Sequence, residues 1–292
     1  APNTQRAIFA YGNSGSVTNI SNLVNSSGVV AADVSGVGTA RAGLAAATYG
    51  GDKAIFAFGS GYSNLSNLVT NQGVVGSDQT GVGTARDYLA ATSYGGDKAI
   101  FGYGNIYSGG YVIYSLKNLV SNQGVVATDV TGVGTARREL SATTYGGDKG
   151  MFAYGNSGGA TYVSLKNLIS NTGVVAADVS GVGTARSLLA AATYGEDKSI
   201  FAYGYTGSNV SMSNLVSNSG VVAADVTGVG TARRASSGSG YGGDKGVFAY
   251  GYSSANVSLK NLVNNSGVIA ADVTGVGTAR NGVAAAGYSF SA

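Results

Sequence analysis

The chain contains no cysteine, no histidine and no tryptophan, and its 292 residues include a single proline. Without cysteine there is no disulfide and no thiolate to act as nucleophile or metal ligand. Without histidine, Ser-His-Asp and Cys-His nucleophiles are excluded, and so are the usual zinc sites. Charge is also scarce: 17 Lys and Arg against 14 Asp and Glu leave a net +3. The nine Arg and eight Lys are spread along the chain, so no basic stripe for nucleic acid is expected. No apolar run approaches the roughly 18 residues of a membrane span. The chain starts at Ala1 without a Met or signal-like segment, which reads as a processed product or an excised piece. What is present in quantity is glycine, 49 residues of it, with many Ser, Thr and Asn. That composition suits an all-β protein full of tight turns.

The chain is a repeat array. Six copies of Gly-Val-Gly-Thr-Ala-Arg end at Arg41, Arg86, Arg137, Arg186, Arg233 and Arg280. Their spacings of 45, 51, 49, 47 and 47 residues fall in the range of four-stranded propeller blades. Eight residues after each Arg comes a Tyr, and after the first five of these a Phe seven further on; each such Phe, with Phe9 as the sixth, is followed three residues later by Gly. An Asn-Leu pair then precedes an Asp by eleven residues, and that Asp precedes the next Arg by eight. All length variation lies between the Phe-x-x-Gly glycine and the Asn-Leu pair. Fixed spacing marks packed strands, whereas surface loops tolerate insertion.

Four strands per repeat are predicted. Strand A is Leu44 to Tyr49, followed by a Gly-Gly-Asp-Lys hairpin turn. Strand B is Lys53 to Phe58, with Ile55 and Ala57 on one face and Phe56 and Phe58 on the other. Strand C carries Asn67-Leu68-Val69, and strand D begins at Val74 after the Asn71-Gln72-Gly73 turn. The N-terminus (Arg6 to Gly12) is a strand B without its A, and the C-terminus (Asn281 to Ser289) is an A without its B. Joining them gives a single domain over 1–292: a six-bladed β-propeller of four-stranded antiparallel blades, closed by pairing the N-terminal strands with the C-terminal strand. Closure removes exposed edges, and the complementary half-repeats disfavour an open solenoid. In the fifth copy strand A reads Ser236-Ser237-Gly238-Ser239-Gly240. Loss of the Leu found at that place elsewhere is expected to loosen packing by roughly 2 kcal/mol, marking a groove or a decaying copy.

Thr-Ala-Arg, Leu-Ala-Ala-Ala, Gly-Gly-Asp-Lys and Ile-Phe-Ala-Tyr-Gly, as in Thr39 to Gly59, resemble the kelch repeat. The resemblance extends over all six copies, with two departures. The second glycine of the kelch doublet is replaced by Asn13, Ser60, Asn105, Asn156, Tyr205 and Tyr252, and the strand D Trp is missing. The near-uniform Ser/Asn/Gly-rich copies are also similar to repeats in bacteriophage and environmental virus structural proteins. That resemblance implies a place in a virion or on an extracellular surface.

Kelch-like geometry implies that B–C and D–A connections emerge on one face. The longer B–C loops carry Tyr62, Tyr107, Tyr111, Tyr114, Tyr162, Tyr205 and Tyr252. The two positions after each repeat Arg also vary, contributing Tyr88, Arg138 and Arg234. Tyrosine offers a flat apolar ring with a polar tip at low entropic cost. This rim is therefore the expected binding surface for a glycan or a protein receptor, with neighbouring virion or surface proteins as other partners. No cofactor, metal, nucleic acid or membrane insertion is expected. A purely structural disc docking to a larger particle is one alternative. A sialidase-like glycosidase is another, since Asp87 and Glu139 follow the Arg of successive copies and two carboxylates suffice for that chemistry. The Trp-containing Asp-box of sialidases is absent, and the repeated Arg and Asp read as a structural turn or inter-blade ion pair. The Asp-Lys pairs of the A–B turns read as solvated turn charges, and the Gly-x-Gly has no helix after it to bind phosphate.

Overall fold

A computed structural model describes residues 4–289; the reading attached to Ala1 lies outside them. All regular elements among these residues are β-strands. The inner strands are β3 (Ala45–Tyr49), β6 (Ala90–Tyr94), β11 (Ser141–Tyr145), β14 (Ala190–Tyr194), β17 (Ser237–Tyr241) and β20 (Ala284–Tyr288). The middle strands are β4 (Lys53–Ala57), β7 (Lys98–Gly102), β12 (Lys149–Ala153), β15 (Lys198–Ala202), β18 (Lys245–Ala249) and β1 (Arg6–Asn13). Outside them run β5 (Ser66–Val69), β10 (Lys117–Val120), β13 (Lys166–Ile169), β16 (Ser213–Val216), β19 (Lys260–Val263) and β2 (Val17–Val24). Each repeat is thus one antiparallel sheet, such as β3-β4-β5. The two chain ends share a sheet, β2-β1-β20, in which Phe9 faces Ala285 on one side and Asn22 on the other.

The inner strands hold Ala, Ser, Thr and Gly ahead of a closing Tyr. Side chains this small let the strands approach one another. Contacts run from β3 to β6, β11, β14, β17 and β20, and from β20 back to β3. Neighbouring sheets pack face to face. Phe56 and Ala54 of β4 meet Ile8, Ala10 and Tyr11 of the preceding sheet, while Ile55 and Ala57 meet Phe101 and Ala99 of the next. Both faces of each middle strand are therefore buried, which explains the unbroken apolar runs there.

Two sequence expectations are corrected. The sheets have three strands rather than four among the described residues. The expected strand D is tied to strand C only by isolated bridges, Val24↔Val30 and Ser21↔Val34 in the first copy. Between those bridges the Asn22 side chain intervenes: its Nδ2 donates to the Ala31 carbonyl at 3.0 Å and to Asp33 Oδ1 at 2.9 Å. The second correction concerns Phe58. It packs with Ile55 and Ala57 rather than with Phe56, because its left-handed backbone (φ 66°) breaks the two-residue alternation. Tyr11, Tyr103, Tyr154, Tyr203 and Tyr250 share that conformation in the other copies.

The repeat Arg residues are all fully buried, and each joins two sheets. Arg186 lies over the Tyr154 ring at 4.4 Å. Its Nη2 donates to Asn214 Oδ1 at 2.6 Å, Nη1 to the Thr184 carbonyl at 3.2 Å and Nε to the Tyr203 carbonyl at 3.0 Å. Asn214 Nδ2 in turn donates to Asp225 Oδ1 at 2.9 Å. Thr184 donates from both N–H and Oγ1 to Asp225 Oδ2, at 2.9 and 2.6 Å, and Arg186 Nη1 lies 3.9 Å from Asp225. The planar fork of Arg suits this geometry where the point charge of Lys does not. Burial lowers the Arg186 pKa. Burial also pushes Asp225 up, but the hydrogen bonds from Thr184 and Asn214 and the Arg186 charge prevail and hold it below the ordinary carboxylate value. Gly183 is required by the same network: at φ 82°, a Cβ there would sit 2.4 Å from Asp225 Oδ1. The Gly-Val-Gly-Thr-Ala-Arg motif is therefore an inter-sheet lock.

Candidate functional site: the loop rim and the axial mouth

Two residues past each repeat Arg the backbone turns left-handed, at Gly43, Tyr88, Glu139, Leu188, Ala235 and Gly282 (φ 51–61°). The N–H of each donates to the carbonyl of its counterpart in a neighbouring repeat. Tyr88 donates to Gly43, Glu139 to Tyr88, Leu188 to Glu139 and Ala235 to Leu188, all at 2.8 Å; Gly282 donates to Ala235 at 2.9 Å. Gly43 donates to Gly282 at 3.0 Å, so the series ends where it began. These bonds offset the cost of left-handed backbone at non-glycine residues, of order 1–2 kcal/mol each. With those backbone groups paired along the belt, side chains set the polarity of the mouth it surrounds.

The position immediately after each Arg meets the residue that follows the Phe-x-x-Gly glycine. Asp87 bridges Asn105, Arg138 bridges Asn156, Ser187 bridges Tyr205, Arg234 bridges Tyr252 and Asn281 bridges Asn13. The two variable segments of the repeat are thus adjacent in space. The longest loop forms its own hairpin, β8 (Asn105–Tyr107) with β9 (Tyr111–Ile113).

The rim side chains gather into two groups. In the first, Arg138 lies over the Tyr111 ring at 3.6 Å, and Tyr111 meets Tyr107 edge-on at 5.2 Å. Tyr107 and Tyr111 are more than half exposed, at 54% and 57%. In the second, Arg234 sits 4.7 Å from the Tyr205 ring and 5.0 Å from that of Tyr252, while Tyr162 meets Tyr205 edge-on at 6.0 Å. Tyr88 stands at the axial mouth, exposed, on the hydrogen-bonded belt. Tyr62, also exposed, and the half-buried Tyr114 lie outside both groups.

Acidic residues border the first group. Glu139 accepts a hydrogen bond from Ser187 Oγ at 2.9 Å and lies 3.6 Å from Arg138 Nε. Asp87 is buried, and that desolvation pushes its pKa up to about 6; Arg138 opposes the shift and Glu139 adds to it. The folded pKa lies above the unfolded value, so the folded chain holds the Asp87 proton more tightly. This contribution is complete below about pH 4 and is lost as pH rises to about 6. Asp87→Asn is therefore expected to leave stability at pH 4 nearly unchanged and to raise it at pH 7.5 by about 2 kcal/mol. Urea unfolding at the two pH values checks this; equal effects at both would contradict it.

Sequence reasoning placed the variable segments together but missed the asparagines that bind the loops to each other. Asn209 Nδ2 donates to the Tyr252 and Ser253 carbonyls at 3.2 and 2.7 Å. Asn256 Nδ2 donates to the Asn13 carbonyl at 3.1 Å, and Asn281 Nδ2 donates to Asn256 Oδ1 at 2.6 Å. The available signal was the Asn-Val step five residues after Gly204 and again after Gly251. Compared with known proteins, the chain matches no family model and no curated protein.

Proposed function

We propose that the chain is a single six-bladed, kelch-like β-propeller over 1–292, acting as a non-catalytic recognition module in a virion or extracellular surface assembly. Succession of the inner strands from β3 through β20 and back to β3 supports that architecture, as does the belt of hydrogen bonds through Gly43 and Gly282. The ligand is a glycan or a protein surface held on the rim. The observation that carries this reading is the pair of Tyr–Arg stacks, Tyr107–Tyr111–Arg138 and Tyr162–Tyr205–Arg234–Tyr252. Rings already held by a guanidinium lose little further entropy on binding, and Tyr with Arg is favoured at recognition surfaces. A glycan-array and cell-surface screen of the purified chain tests it, with a Tyr107→Ala/Tyr111→Ala/Tyr162→Ala variant alongside. The expected result is binding by the wild type that weakens at least tenfold in the folded variant, because each lost aromatic contact is worth about 1 kcal/mol. A folded wild type that binds nothing overturns the reading.

One observation favours a second reading, a structural disc docked to a larger particle. Val29, Val74, Val125, Val174, Val221 and Val268, one per repeat, are each 56–63% exposed. Such an apolar series suits attachment around the periphery. Charged replacements there would abolish assembly without touching rim binding.

A further inference from the structure

Arg138 and Arg234 occupy the same place in their repeats, immediately after the buried Arg, but their surroundings differ in charge. Arg138 is buried, lies 3.6 Å from Glu139 and is near enough to Asp87 to oppose the rise of its pKa. Its charge is therefore already balanced. Arg234 is half-buried and makes no ion pair among the described residues. Its one hydrogen bond, from Nη1 to Asn209 Oδ1, is long at 3.5 Å. Nε and Nη2 have no partner among the described residues, and neither is sealed from solvent. A guanidinium carries five N–H donors in one plane, so most of those on Arg234 remain available.

The frame around Arg234 comes from three successive sheets. Tyr162 follows β12, Tyr205 follows β15 and Tyr252 follows β18. All three rings are half-buried; those of Tyr205 and Tyr252 lie against the guanidinium, and Tyr162 meets Tyr205. A guanidinium held against aromatic rings has its plane fixed while the N–H groups along its edge stay free. The loop backbone, by contrast, is largely engaged. Ser187 and Tyr205 exchange both of their backbone hydrogen bonds, as do Arg234 and Tyr252, and Asn209 takes the Tyr252 and Ser253 carbonyls. An extended peptide finds few main-chain partners here. Recognition falls instead to one unbalanced cation and three tyrosine rings.

Taking the rim as the binding surface, we infer that Tyr162, Tyr205, Arg234 and Tyr252 form a subsite for a carboxylate-bearing sugar, which makes the rim ligand an acidic glycan. The carboxylate accepts from the edge of Arg234, a pairing that the planar fork suits and that charge strengthens. The C–H face of the sugar ring lies against tyrosine, whose ring is apolar and whose hydroxyl still reaches the sugar hydroxyls.

The test uses the purified full chain and glycans that carry glucuronic or N-acetylneuraminic acid, each paired with the same glycan after reduction of its carboxylate to an alcohol. Affinities are read by isothermal titration. The wild type should bind an acidic glycan at least tenfold more tightly than its reduced form, the effect of a hydrogen-bonded charge. That preference should shrink as salt rises from about 0.05 to about 0.5 M. Arg234→Gln, with its thermal midpoint checked against the wild type, should bind the acidic and reduced forms alike. Arg234→Lys keeps the charge without the fork and should retain only part of the preference. Equal wild-type affinity for acidic and reduced forms would overturn the inference with no variant involved, as would an undiminished preference in folded Arg234→Gln. Binding confined to neutral or sulfated glycans, or to a receptor protein stripped of glycans, would overturn it too. If the rim triple variant lost that binding, the rim would stand as the binding surface and only the acidic sugar would fall. A folded wild type that binds nothing removes both.

Discussion

Arg186→Ala is expected to destabilise the protein by about 3–5 kcal/mol, because it removes a fully buried charge together with its hydrogen bonds and leaves buried acceptors unpaired. The side chain is fully buried, and it is the donor to Asn214, Thr184 and Tyr203. Without it Asn214 Oδ1 loses its donor and Asp225 its nearest cation, and the stack over Tyr154 is lost as well. Arg186→Lys should recover only part of the loss, because one ammonium cannot reach acceptors on both sides of the fork. Equilibrium urea unfolding gives the comparison. A change below about 0.5 kcal/mol, the size typical of surface substitutions, would show that the network does not bind the sheets together.

Ending the chain at Arg280 should have a larger effect still. It removes β20, and with it the partner of β1 from Arg6 to Ala10. It also removes Gly282 from the belt and takes buried Val283 and Tyr288 from the packing. Those two side chains alone are worth about 4 kcal/mol of burial, a large share of a domain stability of about 5–15 kcal/mol. The truncated chain is expected to lose its cooperative transition and to aggregate through the exposed edge of β1. A circular permutant that joins residues 1 and 292 through a short linker and opens at the exposed Gly61–Tyr62 turn keeps the same contacts. It should unfold within about 1 kcal/mol of the wild type. Wild-type stability in the truncated chain would contradict the role assigned to β20.

The strands were legible wherever local chemistry repeats at fixed spacing. Gly-Gly-Asp-Lys marked the turn between β3 and β4, and the Asn-Leu pair marked β5. The missing half-repeats at the chain ends pointed to the β20–β1 pairing. The sequence also put Asp eight residues before each Arg, which read as a structural turn or an inter-blade ion pair without saying which Asp meets which Arg. Arg186 lies beside Asp225 rather than beside Asp178, the one eight residues before it, because Asn214 and Thr184 bind that carboxylate into the same network. The shortened fourth strand was not legible either, since it depends on Asn22 competing with backbone for the Ala31 carbonyl. Left-handed backbone at Phe58, Tyr88, Glu139 and Leu188 has no sequence signature, as none of these residue types favours it. At the site, the juxtaposition of the two variable segments was readable from the copies. The Tyr–Arg stacks depend on packing that spacing does not encode.

Everything proposed for the rim depends on the repeats closing into one ring. Amide hydrogen exchange resolved by NMR tests that closure most directly, at Gly43, Tyr88, Glu139, Leu188, Ala235 and Gly282 and along β20. All six belt amides lie outside the strands in sequence, yet each donates to a neighbouring repeat. Closure predicts that all six exchange slowly and together with the β20 amides, at rates set by global unfolding. Rapid exchange at Gly43, Gly282 and β20, with the other four amides protected, would mean that the array is open between its ends.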